Sequence, residues 1–294
     1  MFHGSIVALI TPFKDGSVDE KALRNLVEFH IAEGTNAILP CGTTGESATL
    51  SHEEHCKVIE IVIEQADKRI PVIAGAGSNS TKEAVFLTEH AKKSGADAVL
   101  SITPYYNKPT QEGLFRHFKT IAESVDIPVI LYNVPGRTGV NMLPDTVIRL
   151  SEIDNISGVK EASGSLDQAG AIIKGTGDKF SVISGDDSLT FPMMCMGAKG
   201  VISVAANVAP KKVAEMCRLT LAGDMAAGRS AHYEILDLYG AMFFETNPIQ
   251  AKMALYMMGL IEKDIRLPLV ELSDANCKKL KSVMNGLGIK TVNG

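Results

Sequence analysis

Cysteine is scarce and unpatterned. There are five, Cys41, Cys56, Cys195, Cys217 and Cys277, an odd number with no Cys-x-x-Cys pair. That excludes a disulfide framework and fits reduced thiols in a cytoplasmic protein. Long apolar runs are missing as well. The opening run at 5–10 falls far short of the roughly 20 residues a membrane helix needs, and no basic segment precedes it. Neither a membrane span nor a targeting segment is expected. Charge of neither sign dominates: the formal net charge is -5, which gives no electrostatic reason to expect nucleic acid or an anionic membrane as a partner. No low-complexity segment or long linker is visible. The run Gly75-Ala-Gly77-Ser-Asn-Ser80 lacks the third glycine of a dinucleotide fingerprint, which weakens the case for an open nucleotide-binding sheet.

What is present is ordinary globular composition. The chain has 294 residues, 45% hydrophobic and 21% charged, enough for a sizeable core. Short β-rich runs recur at 5–10, 37–41, 72–75, 98–102, 129–133, 156–161, 180–184 and 200–204. Several are almost wholly apolar, as expected of strands covered on both faces. Amphipathic helical patterns lie between them, among them 19–33, 51–67 and 81–94. Ser51-His-Glu-Glu54 has the form of a capping box, Asp19 and Ser80 are candidate caps, and Gly34 and Gly95 sit where glycine closes helices. Strand–helix units repeated eight times predict an α/β fold, a (β/α)8 TIM barrel over 1–222. The strand signals then stop. Helices at 225–244, 248–258 and 273–287 predict a C-terminal α-helical appendage over 223–294.

In such a barrel, chemistry gathers at the C-terminal ends of the strands. There the sequence reads Pro40-Cys-Gly-Thr-Thr-Gly-Glu-Ser47, Thr103-Pro-Tyr-Tyr-Asn107, Tyr132-Asn-Val-Pro-Gly-Arg-Thr-Gly139, Gly158-Val-Lys-Glu-Ala-Ser163 and Ser184-Gly-Asp-Asp187. Lys160 lies within a strand. A lysine pointing into a barrel loses hydration, which favours the free amine that attacks a ketone to form a Schiff base. A snorkelling lysine, or one paired with Glu161, is the plainer reading, although Glu161 alternates to the other side of the strand. Tyr132, on the neighbouring strand, can relay protons or simply fill space. Thr43 and Thr44 stand in a glycine-flanked turn that suits a carboxylate or plain turn chemistry. Arg137 follows Pro135-Gly136 on a rigid loop and suits a second carboxylate or a surface ion pair. His52 and His55 are spaced i, i+3, not the i, i+4 of a zinc helix, so no metal site is expected. Cys41 reads as a packed thiol and Met193-Met-Cys-Met196 as core filler.

These strand-end segments together resemble the dihydrodipicolinate synthase / N-acetylneuraminate lyase family. The likeness runs over nearly the whole chain and is strongest at Gly42-Thr-Thr-Gly-Glu46, Tyr132-Asn-Val-Pro-Gly-Arg137 and Gly158-Val-Lys-Glu-Ala162. The resemblance implies that Lys160 forms a Schiff base with pyruvate, and that the enamine attacks L-aspartate 4-semialdehyde to give 4-hydroxy-tetrahydrodipicolinate. It further implies Thr43, Tyr132 and Tyr106 as a proton relay, Tyr106 entering from a neighbouring subunit. Thr44, Gly185 and Ile202 match pyruvate-site positions, and Arg137 matches the residue for the semialdehyde carboxylate. No cofactor or metal is implied. A homotetramer built as a dimer of dimers is implied, and so is feedback inhibition by L-lysine at Ser47, Ala48, His52, His55, Asn79, Glu83 and Tyr105. The Gly-Arg-Thr pattern after Tyr132-Asn133 argues against a sialic-acid lyase. A keto-deoxy sugar aldolase, a non-catalytic metabolite-sensing barrel and a phosphate-binding barrel are the alternatives. The last is disfavoured because the loops after strands seven and eight carry acid and no glycine-rich cradle.

Overall fold

A computed structural model describes residues 2–293. Eight parallel strands follow in chain order: β1 (Gly4–Ala8), β2 (Ala37–Leu39), β3 (Ile73–Gly75), β4 (Ala98–Ile102), β5 (Val129–Asn133), β6 (Ile156–Glu161), β7 (Ser181–Ser184) and β8 (Gly200–Ser203). They are hydrogen-bonded in the order β2-β1-β8-β7-β6-β5-β4-β3. The parallel bridge Ile38↔Val72 joins the two ends, so the sheet closes into a barrel as expected.

Alternation along the strands divides the apolar residues into two cores. Ile6, Ala8, Ala37, Leu39, Ile73, Ala98, Leu100, Ile130, Tyr132, Ile183 and Ile202 pack together inside the barrel. Their chain neighbours Val7, Ile38, Val99, Leu131, Val159, Val182 and Val201 belong to the outer core shared with the helices. With Val159 facing outward, the period of two turns Lys160 inward.

Helices Glu20–Ala32, His52–Ala66 and Thr81–Ser94 lie within a residue of the expected spans. Asp19 caps the first by accepting from Ala22 N at 2.9 Å. Ser51 and Glu54 form the reciprocal capping box. A side-chain cap is worth about 1 kcal/mol. Ser80 makes no such bond at the third helix; Ser78 Oγ accepts from Ser80 N instead, at 3.0 Å.

Three features depart from expectation. A short antiparallel hairpin, Phe13–Lys14 with Ser17–Val18, follows β1. Its turn is Asp15-Gly16, both at positive φ (51° and 76°), the dipeptide suited to a tight two-residue hairpin. The helix expected over 225–244 is two, Met225–Glu234 and Leu236–Ala241, broken at Ile235. The Met193–Met196 stretch is only half core: Met193 and Met194 are buried, whereas Cys195 and Met196 are exposed. Beyond these lie Ile249–Met257, buried on nearly every face, and Asp274–Gly286. Among the described residues, no helix is long and apolar enough to cross a membrane.

Two buried histidines make stability sensitive to acid. His30 holds Thr35 Oγ1 through Nδ1 at 3.0 Å, and burial pushes its pKa down to about 3. Burial likewise lowers His117, which meets Thr81 Oγ1 at 2.8 Å, to about 4. Both lie below the ordinary histidine value of 6.5. The unfolded chain therefore takes up these protons first, and the stability they support is full above that pH and lost as pH falls toward the folded values. Lowering the pH from 7 to 5 is expected to cost about 2 kcal/mol per histidine in urea unfolding. A His30→Gln variant should show a shallower dependence over the same interval.

Candidate active site

Lys160 sits in β6 between Tyr132 of β5 and Ile183 of β7, paired with both in register. It is 6% exposed, and its Nζ lies 4.2 Å from the centroid of the Tyr132 ring. Among the described residues it makes no ion pair. Glu161 points the other way, as strand alternation requires, and is held by Asn133 Nδ2 (3.1 Å), Gln168 Nε2 (3.1 Å) and Ser163 N (2.8 Å). The plainer Lys160–Glu161 pairing is therefore not formed.

Glycine at residue 185, on the neighbouring strand end, keeps that end clear of Ala162 and the lysine. A Cβ there would stand 2.5 Å from Ala162 Cβ and 3.1 Å from Lys160 Cε. Two acids follow. Asp186 is half-buried; burial raises its pKa, and the nearby positive charge of Lys160 opposes that rise. Asp187 is buried and accepts from Val204 N (3.1 Å) and Ala205 N (3.0 Å), which fixes the chain just beyond β8 and Ile202.

The turn after β2 is closed by Gly45 N donating to Gly42 O at 3.0 Å and Glu46 N to Thr43 O at 3.1 Å. Thr44 is buried and Thr43 partly so. Thr44 Oγ1 accepts from Asn247 Nδ2 at 3.0 Å, and the Asn247 carbonyl accepts from Arg137 Nη2 at 3.4 Å. Asn247 thus links the two groups suited to carboxylates. Arg137 belongs to a helical turn, Pro135–Thr138, rather than to the loop expected, and is exposed. Cys41 is fully packed, burial pushes its thiol pKa far up, and its Sγ donates to His55 O at 3.5 Å. It is the packed thiol expected. Tyr106 is 91% exposed, at φ 71°, and so stands outside the buried mouth of its own barrel.

A second polar cluster lies where the helices His52–Ala66 and Thr81–Ser94 begin. His52 Nε2 meets Glu83 Oε1 at 2.6 Å, and Ser78 Oγ donates to the other carboxylate oxygen. Asn79 Nδ2 donates to Tyr105 O at 3.1 Å, and Asn107 Nδ2 to Asn79 O at 2.9 Å. His52, Asn79, Glu83 and Tyr105 are thereby joined through direct contacts and the short Ser78–Asn79 link. His55 is buried, with Nε2 on Gly75 O at 2.7 Å, and burial lowers its pKa. Ser47 and Ala48 form the helical turn that leads from the Thr43 turn into this helix.

Asn247 and the Glu46–Lys252 pair, joined at 2.6 Å, escaped the sequence reading. Asn247-Pro248 signalled a turn, and Glu46 stood inside a recognised motif, but nothing local pointed either toward the mouth.

The eight-stranded barrel and the match to known enzymes over nearly the whole chain define a lyase of the class I aldolase type. The chain belongs to the dihydrodipicolinate synthetase family, whose model matches residues 1–286. It is 60% identical over 289 residues to the 4-hydroxy-tetrahydrodipicolinate synthase of Geotalea uraniireducens, covering 98% of this chain and 100% of that protein. The Acinetobacter baumannii dihydrodipicolinate synthase, solved in complex with pyruvate, superposes with a TM-score of 0.97 at 51% identity, over 98% of this chain and 100% of that one. The Cyanidioschyzon merolae enzyme, solved with lysine bound, gives a TM-score of 0.96 at 40% identity, over 98% and 99%.

The crowding at Gly185 is directly testable. Gly185→Ala should keep the barrel fold, because the clash falls at the open mouth, yet lose most activity as Lys160 is displaced. Circular dichroism and an initial-rate assay would separate the two effects.

Proposed function

We propose that this chain is a 4-hydroxy-tetrahydrodipicolinate synthase, condensing pyruvate with L-aspartate 4-semialdehyde in lysine and diaminopimelate biosynthesis in the cytoplasm. The observation that carries the reading is the buried Lys160 beside Tyr132 at the barrel mouth, which makes no ion pair among the described residues. The amine adds to the ketone of pyruvate, and proton transfers expel water to leave an iminium. The iminium draws electrons from the methyl carbon, which loses a proton and becomes a nucleophilic enamine. That carbon attacks the aldehyde of the second substrate. The substrate's own amine then attacks the iminium carbon, closes the ring and releases Lys160. Nothing in these steps calls for a cofactor or metal, because the protonated imine is itself the electron sink.

Family likeness supports the remaining roles. The Thr43–Thr44 turn takes the pyruvate carboxylate, with Gly185 and Ile202 lining that pocket. Tyr132 and Thr43 relay protons. Tyr106, exposed in the single chain, completes the relay of a partner subunit, in a homotetramer built as a dimer of dimers. Arg137 holds the carboxylate of the semialdehyde. That second anion site favours the semialdehyde over the neutral sugar aldehyde a keto-deoxy sugar aldolase would accept.

Borohydride added with pyruvate should fix a reduced adduct on Lys160, found by peptide mass mapping. Arg137→Ala should still form the adduct but fail to condense, since losing a charged hydrogen bond costs about 1.5–3 kcal/mol. An adduct on another lysine refutes the mechanism, and equal loss of both half-reactions refutes the role of Arg137.

The second cluster supports feedback inhibition by L-lysine. Glu83, together with His52 and Asn79, offers groups for an ammonium and polar ends. His55 orients the helix start from beneath, and Ser47 and Ala48 border it. Tyr105 is the chain neighbour of Tyr106, so occupancy biases the proton relay by a coupling of typically ~1–3 kcal/mol. L-lysine should lower the initial rate, D-lysine should not, and Glu83→Ala should abolish the effect. Inhibition that survives in Glu83→Ala would place the effector elsewhere.

A further inference from the structure

Glu46 lies inside one of the family-like motifs, three residues from Thr43, yet the reaction described above gives it no part. Its carboxylate is buried against Lys252 Nζ at 2.6 Å, across 206 residues of chain. The two side chains are 1% and 5% exposed; the next most buried pair, Glu54–Arg266, is 32% and 18% exposed. Glu46 is also at φ 53°, a left-handed conformation that a glutamate rarely adopts without support.

A buried ion pair is a poor way to gain stability, because two well-packed apolar side chains would do as well or better. What such a pair does supply is a fixed geometry. Here both carboxylate oxygens are engaged: Oε1 by Lys252 and Oε2 by Arg266 N at 3.3 Å. Lys252 Nζ and Arg266 Cζ lie 4.1 and 4.2 Å from the centroid of the Phe13 ring, and Phe13 is fully buried. The Arg266 guanidinium goes on to the Thr49 carbonyl at 2.9 Å and to Glu54 Oε2 at 2.8 Å, on the far side of the same turn. The turn that carries Thr43 and Thr44 is thus gripped from behind by Lys252 of the helix Ile249–Met257 and by Arg266 of the segment that follows it.

We propose that Glu46 is a positioning residue for the pyruvate-carboxylate turn, and that Lys252 is its anchor, so that the C-terminal helices set the affinity for pyruvate. The inference rests on the reading of the Thr43–Thr44 turn as the pyruvate carboxylate site. A slackened turn loses the alignment of its hydroxyls and amides, so pyruvate binding weakens, while Arg137, whose contact runs to the backbone carbonyl of Asn247 and not to the turn itself, keeps its place, as does the lysine chemistry.

The test compares full-length wild type with Lys252→Met and with the neutral, near-isosteric pair Glu46→Gln/Lys252→Met. For each, circular dichroism and thermal melting report the fold. The pyruvate concentration giving half-maximal borohydride trapping on Lys160 reports the turn, alongside KM for both substrates and kcat. Folded variants should need at least tenfold more pyruvate for half-trapping, with the semialdehyde KM within twofold of wild type and kcat at saturating pyruvate largely retained. A merely destabilised enzyme would lose kcat through its inactive fraction and keep its KM. Half-trapping within twofold of wild type in a folded variant overturns the proposal. So does failure of both variants to fold, since the pair then serves the fold rather than the turn. Failure of pyruvate to trap on wild type would instead overturn the functional reading, and this assignment with it.

Discussion

Burying an amine among apolar side chains is unfavourable unless something in the surroundings compensates, and the mouth of this barrel is arranged around that cost. Strand alternation forces Lys160 into the layer that holds Ile183 and Ile202, away from the water that would solvate its charge. The compensation is partial and specific. The face of Tyr132 lies 4.2 Å away, Asp186 stands near, and the absent side chain of Gly185 leaves the amine its space. Glu161, the obvious counter-charge, is turned outward and occupied by Asn133, Gln168 and the Ser163 amide. With Glu161 so engaged, the Lys160 amine stays within the barrel mouth beside Tyr132.

From that placement the rest of the mouth acquires its order. Thr44 and Arg137 stand on strand-end segments brought together by closure of the sheet, and Asn247 ties them together, with its side chain on Thr44 and its carbonyl on Arg137. The C-terminal helices therefore act as more than a cover. The C-terminal segment reaches Thr44 at Asn247 and the back of the same turn at Lys252, while the Asp15-Gly16 hairpin closes the same edge through Asp264 and Arg266. The rigidity of a barrel rim built from loops is thus supplied by contacts distant in sequence.

The second cluster reaches the mouth along a short path. His52 begins the helix that follows the Thr43 turn, and Asn79 holds the backbone of Tyr105 beside Tyr106. Tyr106 and Lys108 both adopt left-handed conformations, so this segment is held in an uncommon shape by its neighbours rather than by its own preference.

Much of this was legible along the chain. All eight strands lie where apolar runs stood between turn signals, and the capping groups at Asp19 and Ser51 mark helix starts that form as written. These are local matters of side-chain period and backbone hydrogen bonding, resolved within a few residues. The alternation that turns Lys160 inward and Glu161 outward is likewise local. Tertiary structure alone decided that Glu161 meets Asn133, that His55 is buried, that Tyr106 is left exposed, and that Asn247 and Lys252 arrive at a turn more than two hundred residues away. Those contacts depend on how a closed barrel and its appended helices pack in space, and no short-range pattern encodes a partner so distant in the chain.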